Sequence, residues 1–69
     1  MGDETLTRVL VGLQAHPHHD TPDAIAGKLG DVTRPNVEVA LRMLDTRGLV
    51  HHAGGHWQPT VRGWRAFRR

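Results

Sequence analysis

The stretch from Val32 to Val50 constrains this chain more than any other, because it is marked as a helix at both ends. Thr33 is a preferred N-cap residue, and its hydroxyl can accept a hydrogen bond from an orphan N–H of the first turn. Val32 and Val37 stand at the spacing of a hydrophobic staple around that cap. Val37, Ala40, Leu41 and Leu44 follow the i, i+3, i+4, i+7 rule and share one face. Gly48 stands where a left-handed C-terminal cap belongs, just after Arg47. Leu49-Val50 then opens a strand-like run. Opposite the apolar face lie Pro35, Val39, Arg42 and Thr46, flanked by Glu38 and Met43. In a small fold this outer face is exposed.

The other elements arrange themselves around this helix. Asp3 or Thr5 can cap a first helix, in which Leu6, Val9, Leu10 and Leu13 recur at helical spacing while Val11 lies off that face. Pro17 disfavours helical geometry at His16, so the helix is expected to stop near Ala15. His16-Pro17-His18-His19-Asp20 is then a connector. Thr21 caps a second helix, Pro22 takes its first position, and Asp23 complements its dipole. Ile25 and Leu29 face inward, and Gly30 ends the helix. After Gly48 the period changes. Leu49-Val50-His51-His52 and His56-Trp57-Gln58 flank Ala53-Gly54-Gly55, which reads as a hairpin. Pro59 is expected to stop the second strand, and Thr60 to cap a last short helix in which Val61, Trp64 and Phe67 recur every three residues. Gly63 inside that helix points to close packing against the hairpin. The expected fold is mainly α with a small β-hairpin, in the order helix, helix, helix, hairpin, helix. Its expected core is Leu6, Val9, Leu10, Leu13, Ile25, Leu29, Val37, Leu41, Leu44, Leu49, Trp57 and Trp64.

At 69 residues the chain is expected to form one domain, 1–69, with no room for a cofactor-sized cavity. It has no cysteine, so disulfides and thiolate metal sites are excluded. Acids stand near its beginning where a signal peptide would carry a basic run, and no apolar run approaches the ~20 residues of a membrane span. A cytoplasmic protein is expected. The net charge of +2 is unevenly spread. Up to Thr33, Asp3, Glu4, Asp20, Asp23 and Asp31 outweigh Arg8 and Lys28. From Arg34 on, Arg34, Arg42, Arg47, Arg62, Arg65, Arg68 and Arg69 outweigh Glu38 and Asp45. Such asymmetry suits an anionic partner for the second half, although a solvated arginine-rich surface would look the same.

From Thr21 to about Phe67 the chain resembles a winged helix-turn-helix domain of the kind found in MarR-like regulators and in small phage-type repressors of archaea. The resemblance rests on Ile25-Ala26, Leu29-Gly30 and Val32-Thr33-Arg34-Pro35-Asn36-Val37, then on Leu41, Leu44 and Gly48-Leu49-Val50. Gly55-His56-Trp57-Gln58-Pro59-Thr60 with Gly63 completes it. It implies a helix-turn-helix over about 21–47 and a wing over about 49–59. The third helix would enter the major groove of double-stranded DNA, with the wing beside the minor groove. The tip of this hairpin carries glycines and histidines where such domains often carry arginine.

Thr33, Arg34, Pro35, Asn36, Glu38, Val39 and Arg42 are the candidate DNA contacts on the third helix. Arginine can be bidentate to guanine and asparagine to adenine. His52 and His56 are candidates on the wing, where protonation would add phosphate attraction. The C-terminal arginines are assigned to phosphates at most. The expected function is a small transcriptional regulator, working as a repressor or otherwise by occupancy. The chain contains no serine and shows no nucleophile–base set, so it is not expected to be an enzyme. The rival reading is a winged helix that docks a protein partner, and RNA binding comes third. Val11 and the last helix are candidates for a homodimer surface. His16, His18, His19, His51, His52 and His56 form two groups, but the one pair four residues apart, His52 and His56, falls in the expected hairpin and not on a helix, so no pair has the spacing of a helical metal site. No metal and no cofactor are expected.

Overall fold

The computed structural model describes residues 2–66. Three helices, a two-stranded hairpin and a short fourth helix follow in order: α1 (Asp3–Ala15), α2 (Pro22–Leu29), α3 (Arg34–Thr46), β1 (Val50–Ala53), β2 (His56–Pro59) and α4 (Val61–Ala66). This is the mainly helical chain with one hairpin that the hydrophobic periods predict. α1, α2 and α3 pack against one another, β1 meets α3, and β2 meets α1.

The core is built where those helices meet. Leu6, Val9, Leu10 and Leu13 of α1 pack with Ile25 of α2 and with Val37, Ala40, Leu41 and Leu44 of α3. Val50, at the start of β1, joins them at 1% exposure, a core residue the expected set omitted. Leu29, Leu49 and Trp57 are only half-buried and pack around the cluster, as do Val32 and Met43. Trp64 departs from expectation. It is 48% exposed, and Val61 beside it is 69% exposed. The repeat of Val61 and Trp64 therefore marks the outer side of α4, while Gly63 is the buried residue of that helix. A Cβ on Gly63 would overlap the Leu49 carbonyl oxygen and lie 3.4 Å from Pro59 Cβ. Only a bare Cα lets α4 sit this close to the backbone before β1. Phe67 lies outside the described residues.

The helix ends follow local chemistry, with two corrections. α1 is capped by Gly2 rather than by Asp3 or Thr5, and no side chain closes that cap; Asp3 and Glu4 instead place negative charge in the first turn. Thr33 is the N-cap of α3, but its hydroxyl makes no capping hydrogen bond. Thr21 behaves as expected, with Oγ1 accepting from Ala24 N–H at 3.3 Å. α3 ends in a Schellman arrangement. Gly48 has a φ of 74°. Leu49 N–H donates to the Leu44 carbonyl at 2.9 Å, and Gly48 N–H to the Asp45 carbonyl at 2.9 Å.

The hairpin turn is two residues, shorter than expected. Gly54 and Gly55 have φ of 59° and 83°, the double left-handed geometry of a type I′ turn. Ala53 consequently pairs with His56, His52 with Trp57, His51 with Gln58, and Val50 with Pro59. Pro59 is thus the last residue of β2 and is buried. Thr60 then joins three elements. Its hydroxyl donates to the Gly48 carbonyl at 2.6 Å and accepts from Gly63 N–H at 3.0 Å, and its N–H donates to the Leu49 carbonyl at 3.0 Å.

Candidate nucleic-acid interface

α3 presents its polar side outward because Val37, Ala40, Leu41 and Leu44 hold the opposite side in the core. Thr33, Arg34, Pro35, Asn36, Val39 and Arg42 are exposed, and Glu38 is half-buried. The hairpin stands beside the middle of this face. A cleft of about 300 Å³ lies between them, lined by Arg34, Glu38 and Arg42 of α3, Pro22 of α2, and His52, Gly55 and Trp57 of the hairpin. The fold therefore gathers Arg34, Glu38, Arg42 and His52 from two separate elements into one surface. His52 is held there by stacking on Trp57, with ring centroids 4.5 Å apart and planes 21° from parallel. The half-buried indole thus anchors one edge of the cleft, a role its sequence position alone did not disclose.

Thr33, Pro35 and Val39 are exposed on α3 but do not line this cleft, and two further predicted residues are turned to other parts of the fold. Asn36 lies beside Thr5, Asp31 and Val32, at the side of α3 that faces the start of α1. His56 is turned to the connector, where its Nδ1 lies 2.9 Å from Asp20 Oδ1. It fastens the hairpin, and it does not line the cleft beside Arg42.

The residue that reading the sequence missed is Asp20. Its carboxylate receives His56 on one oxygen and Gln58 Nε2–H on the other at 2.7 Å, and its backbone carbonyl accepts from Trp57 N–H at 2.7 Å. Gln58 Nε2 also donates to the Pro17 carbonyl at 3.1 Å. The hydrogen bond from His56 is the largest influence holding the Asp20 carboxyl below the ordinary carboxylate value; partial burial opposes it and Gln58 assists. Nothing in the spacing of Asp20 and His56, 36 residues apart, announces this pairing.

Charge on the interface is partly compensated within the protein. Arg34 Nε lies 3.3 Å from Asp23 Oδ1 and 3.4 Å from Glu38 Oε1, with Arg34 and Asp23 well exposed and Glu38 partly so. Exposed pairs of this kind are worth only ~0–1 kcal/mol, so Arg34 can exchange them for another anion. Among the described residues Arg42 has no carboxylate within ion-pair distance. Arg62 and Arg65 are exposed on α4, and Arg68 and Arg69 lie outside the described residues. Among the described residues, no group of three or more His, Cys, Asp or Glu is placed to hold a metal ion. No helix of the described residues is long and apolar enough to cross a membrane. No protein-family model, curated protein or solved structure matches this chain.

Proposed function

We propose that this chain is a winged helix-turn-helix protein that binds double-stranded DNA sequence-specifically and acts as a small transcriptional regulator through occupancy rather than chemistry. In this reading α2 and α3 are the helix-turn-helix, α3 enters the major groove, and the hairpin is the wing. The observation that carries it is the convergence of Arg34, Arg42 and His52 on one surface shared by α3 and the hairpin. A major groove about 12 Å wide admits one α-helix, and arginine is the commonest side chain to read guanine there. Arg42, uncompensated by any ion pair among the described residues, is the residue assigned to base reading. Glu38 on the same surface can accept from cytosine N4, which gives the face both hydrogen-bonding polarities. Arg34 is assigned to the backbone or a base once it leaves Asp23 and Glu38. Asn36, set toward α1, is assigned to the edge of the contact, together with the unused hydroxyl of Thr33.

The test is selection of duplexes from a random pool, followed by gel shift of a selected site and its scrambled counterpart. A preference for the selected site, weakening steeply with salt, supports the reading. A second reading is favoured by one observation: Val39, on the same outer face, is 45% exposed. An apolar residue between charges also suits a protein partner. Absence of any duplex binding at low salt would move that reading ahead. A homodimer on a two-fold site would use the exposed Val61 and Trp64 of α4.

A further inference from the structure

α1 and α2 enclose a second cleft of about 300 Å³ that includes no residue of α3 or the hairpin. That volume is at the lower end of the ~300–1,000 Å³ typical of small-molecule sites. Val11, Gly12, Ala15, Ile25 and Leu29 make its apolar surface. Arg8, Lys28, His16 and His19 supply its polar atoms, together with Thr7, and no carboxylate lines it. Arg8 is already neutralised, because its Nη1 donates to Asp31 Oδ2 at 2.6 Å. Lys28 has no ion-pair partner among the described residues. His19 Nδ1 is buried without a hydrogen-bond partner there, a polar group left unsatisfied.

Gly12 sharpens the picture. It lies inside α1, where glycine weakens a helix relative to alanine. Its φ is not positive. A Cβ built on it would meet only Leu29 Cδ2 at 3.7 Å, an ordinary contact. Neither conformation nor close packing calls for glycine at this position, unlike Gly63. What the missing side chain does is leave the cleft open.

We propose that this cleft binds a small amphipathic carboxylate, its apolar body on Val11, Gly12 and Leu29 and its anionic head toward Lys28. A neutral apolar ligand would leave Lys28 unused. A cation would be repelled by Lys28, and a fully polar anion would lose its hydration against the apolar floor.

The probe is octanoate, kept below its micelle concentration and compared with octanol, followed by amide chemical shifts of the ¹⁵N-labelled protein. Octanoate is expected to give saturable shifts confined to Val11, Gly12, Ala15, Lys28 and Leu29. Octanol should bind about five-fold more weakly, the order of one exposed charge pair. Lys28→Gln should bring octanoate down to the level of octanol. Gly12→Ala should raise Tm while weakening octanoate, a combination that loss of fold cannot produce. Equal binding of acid and alcohol overturns the proposal, as do shifts that fail to saturate or that spread to Trp64. So does a concentration-dependent dimer in which a second copy protects the same amides.

Discussion

Asp20 Oδ1 and His56 Nδ1 lie 2.9 Å apart, so the connector between α1 and α2 grips the second strand of the hairpin. With Gln58 on the other carboxylate oxygen, one acid fixes the hairpin against the helices and thereby sets where His52 stands relative to Arg42. Asp20→Ala should lower stability at neutral pH by about 0.5–1.5 kcal/mol, the net worth of a hydrogen bond whose partners keep other acceptors: exposed His56 turns to water and Gln58 retains the Pro17 carbonyl. The pH dependence has a fixed sign. The folded carboxyl titrates below its ordinary value, so its stabilisation is present above the unfolded carboxylate value of about 3.9 and is lost as pH falls through the folded one. Asp31, lowered by its hydrogen bond from Arg8, adds to the same acid limb. Urea melts of wild type and Asp20→Ala should therefore differ most at pH 7 and draw together as pH falls below about 4. Curves that stay parallel would show that Asp20 does not carry this stabilisation.

Two helical glycines should respond in opposite directions to alanine. At Gly63 the added Cβ meets the Leu49 backbone, so α4 must move away or the hairpin must shift. A loss of about 1–3 kcal/mol is expected, the range for overpacking. At Gly27 nothing lies within 4 Å of the new atom, and α2 gains about 0.5–1 kcal/mol of helix stability. Thermal melts of the two variants separate these outcomes, and a stabilised Gly63→Ala would contradict the packing described here.

The core should discriminate sharply between two large side chains. Leu41 of α3 is fully buried in the core cluster, and Leu41→Ala should cost about 2–5 kcal/mol through cavity formation. Trp64→Ala should cost about 1 kcal/mol, because nearly half of that side chain is already in water. Denaturant titration gives both numbers directly. Equal losses would place α4 much deeper than the structure has it.

How much of this was legible in the sequence depends on the range of the interaction. The apolar stripe of α3, the Thr21 cap, the Gly48 terminus and the glycine turn are local, and local spacing predicts them. Trp64 misled because a recurrence every three residues defines a side of a short helix without saying which side is inward. The answer lies in Gly63, whose lack of a side chain is what the Leu49 carbonyl requires. The outer residues of α3 were legible for the same reason as its core. The cleft they form with His52 was not, because it depends on the grip of Asp20 on His56 and Gln58, a contact made only in three dimensions.

Within the interface, residues on the cleft and residues off it should differ. Arg42→Ala is expected to lose about 1–3 kcal/mol on the selected site and to relax preference at one base position. Asn36→Ala, set toward α1, should lose less. Arg62→Ala with Arg65→Ala, on α4, should weaken all sequences alike and reduce the salt slope.

The measurement that bears most directly on the proposed function is a fluorescence anisotropy titration of wild type, Arg34→Ala and Arg42→Ala on a selected duplex and a scrambled one, at two salt concentrations. Wild type is predicted to prefer the selected duplex. Both variants should remain folded and bind that duplex more weakly, and Arg42→Ala should lose the preference. Wild-type binding that does not distinguish the duplexes, or variants that bind as wild type does, would contradict the assignment of α3 as the reading helix.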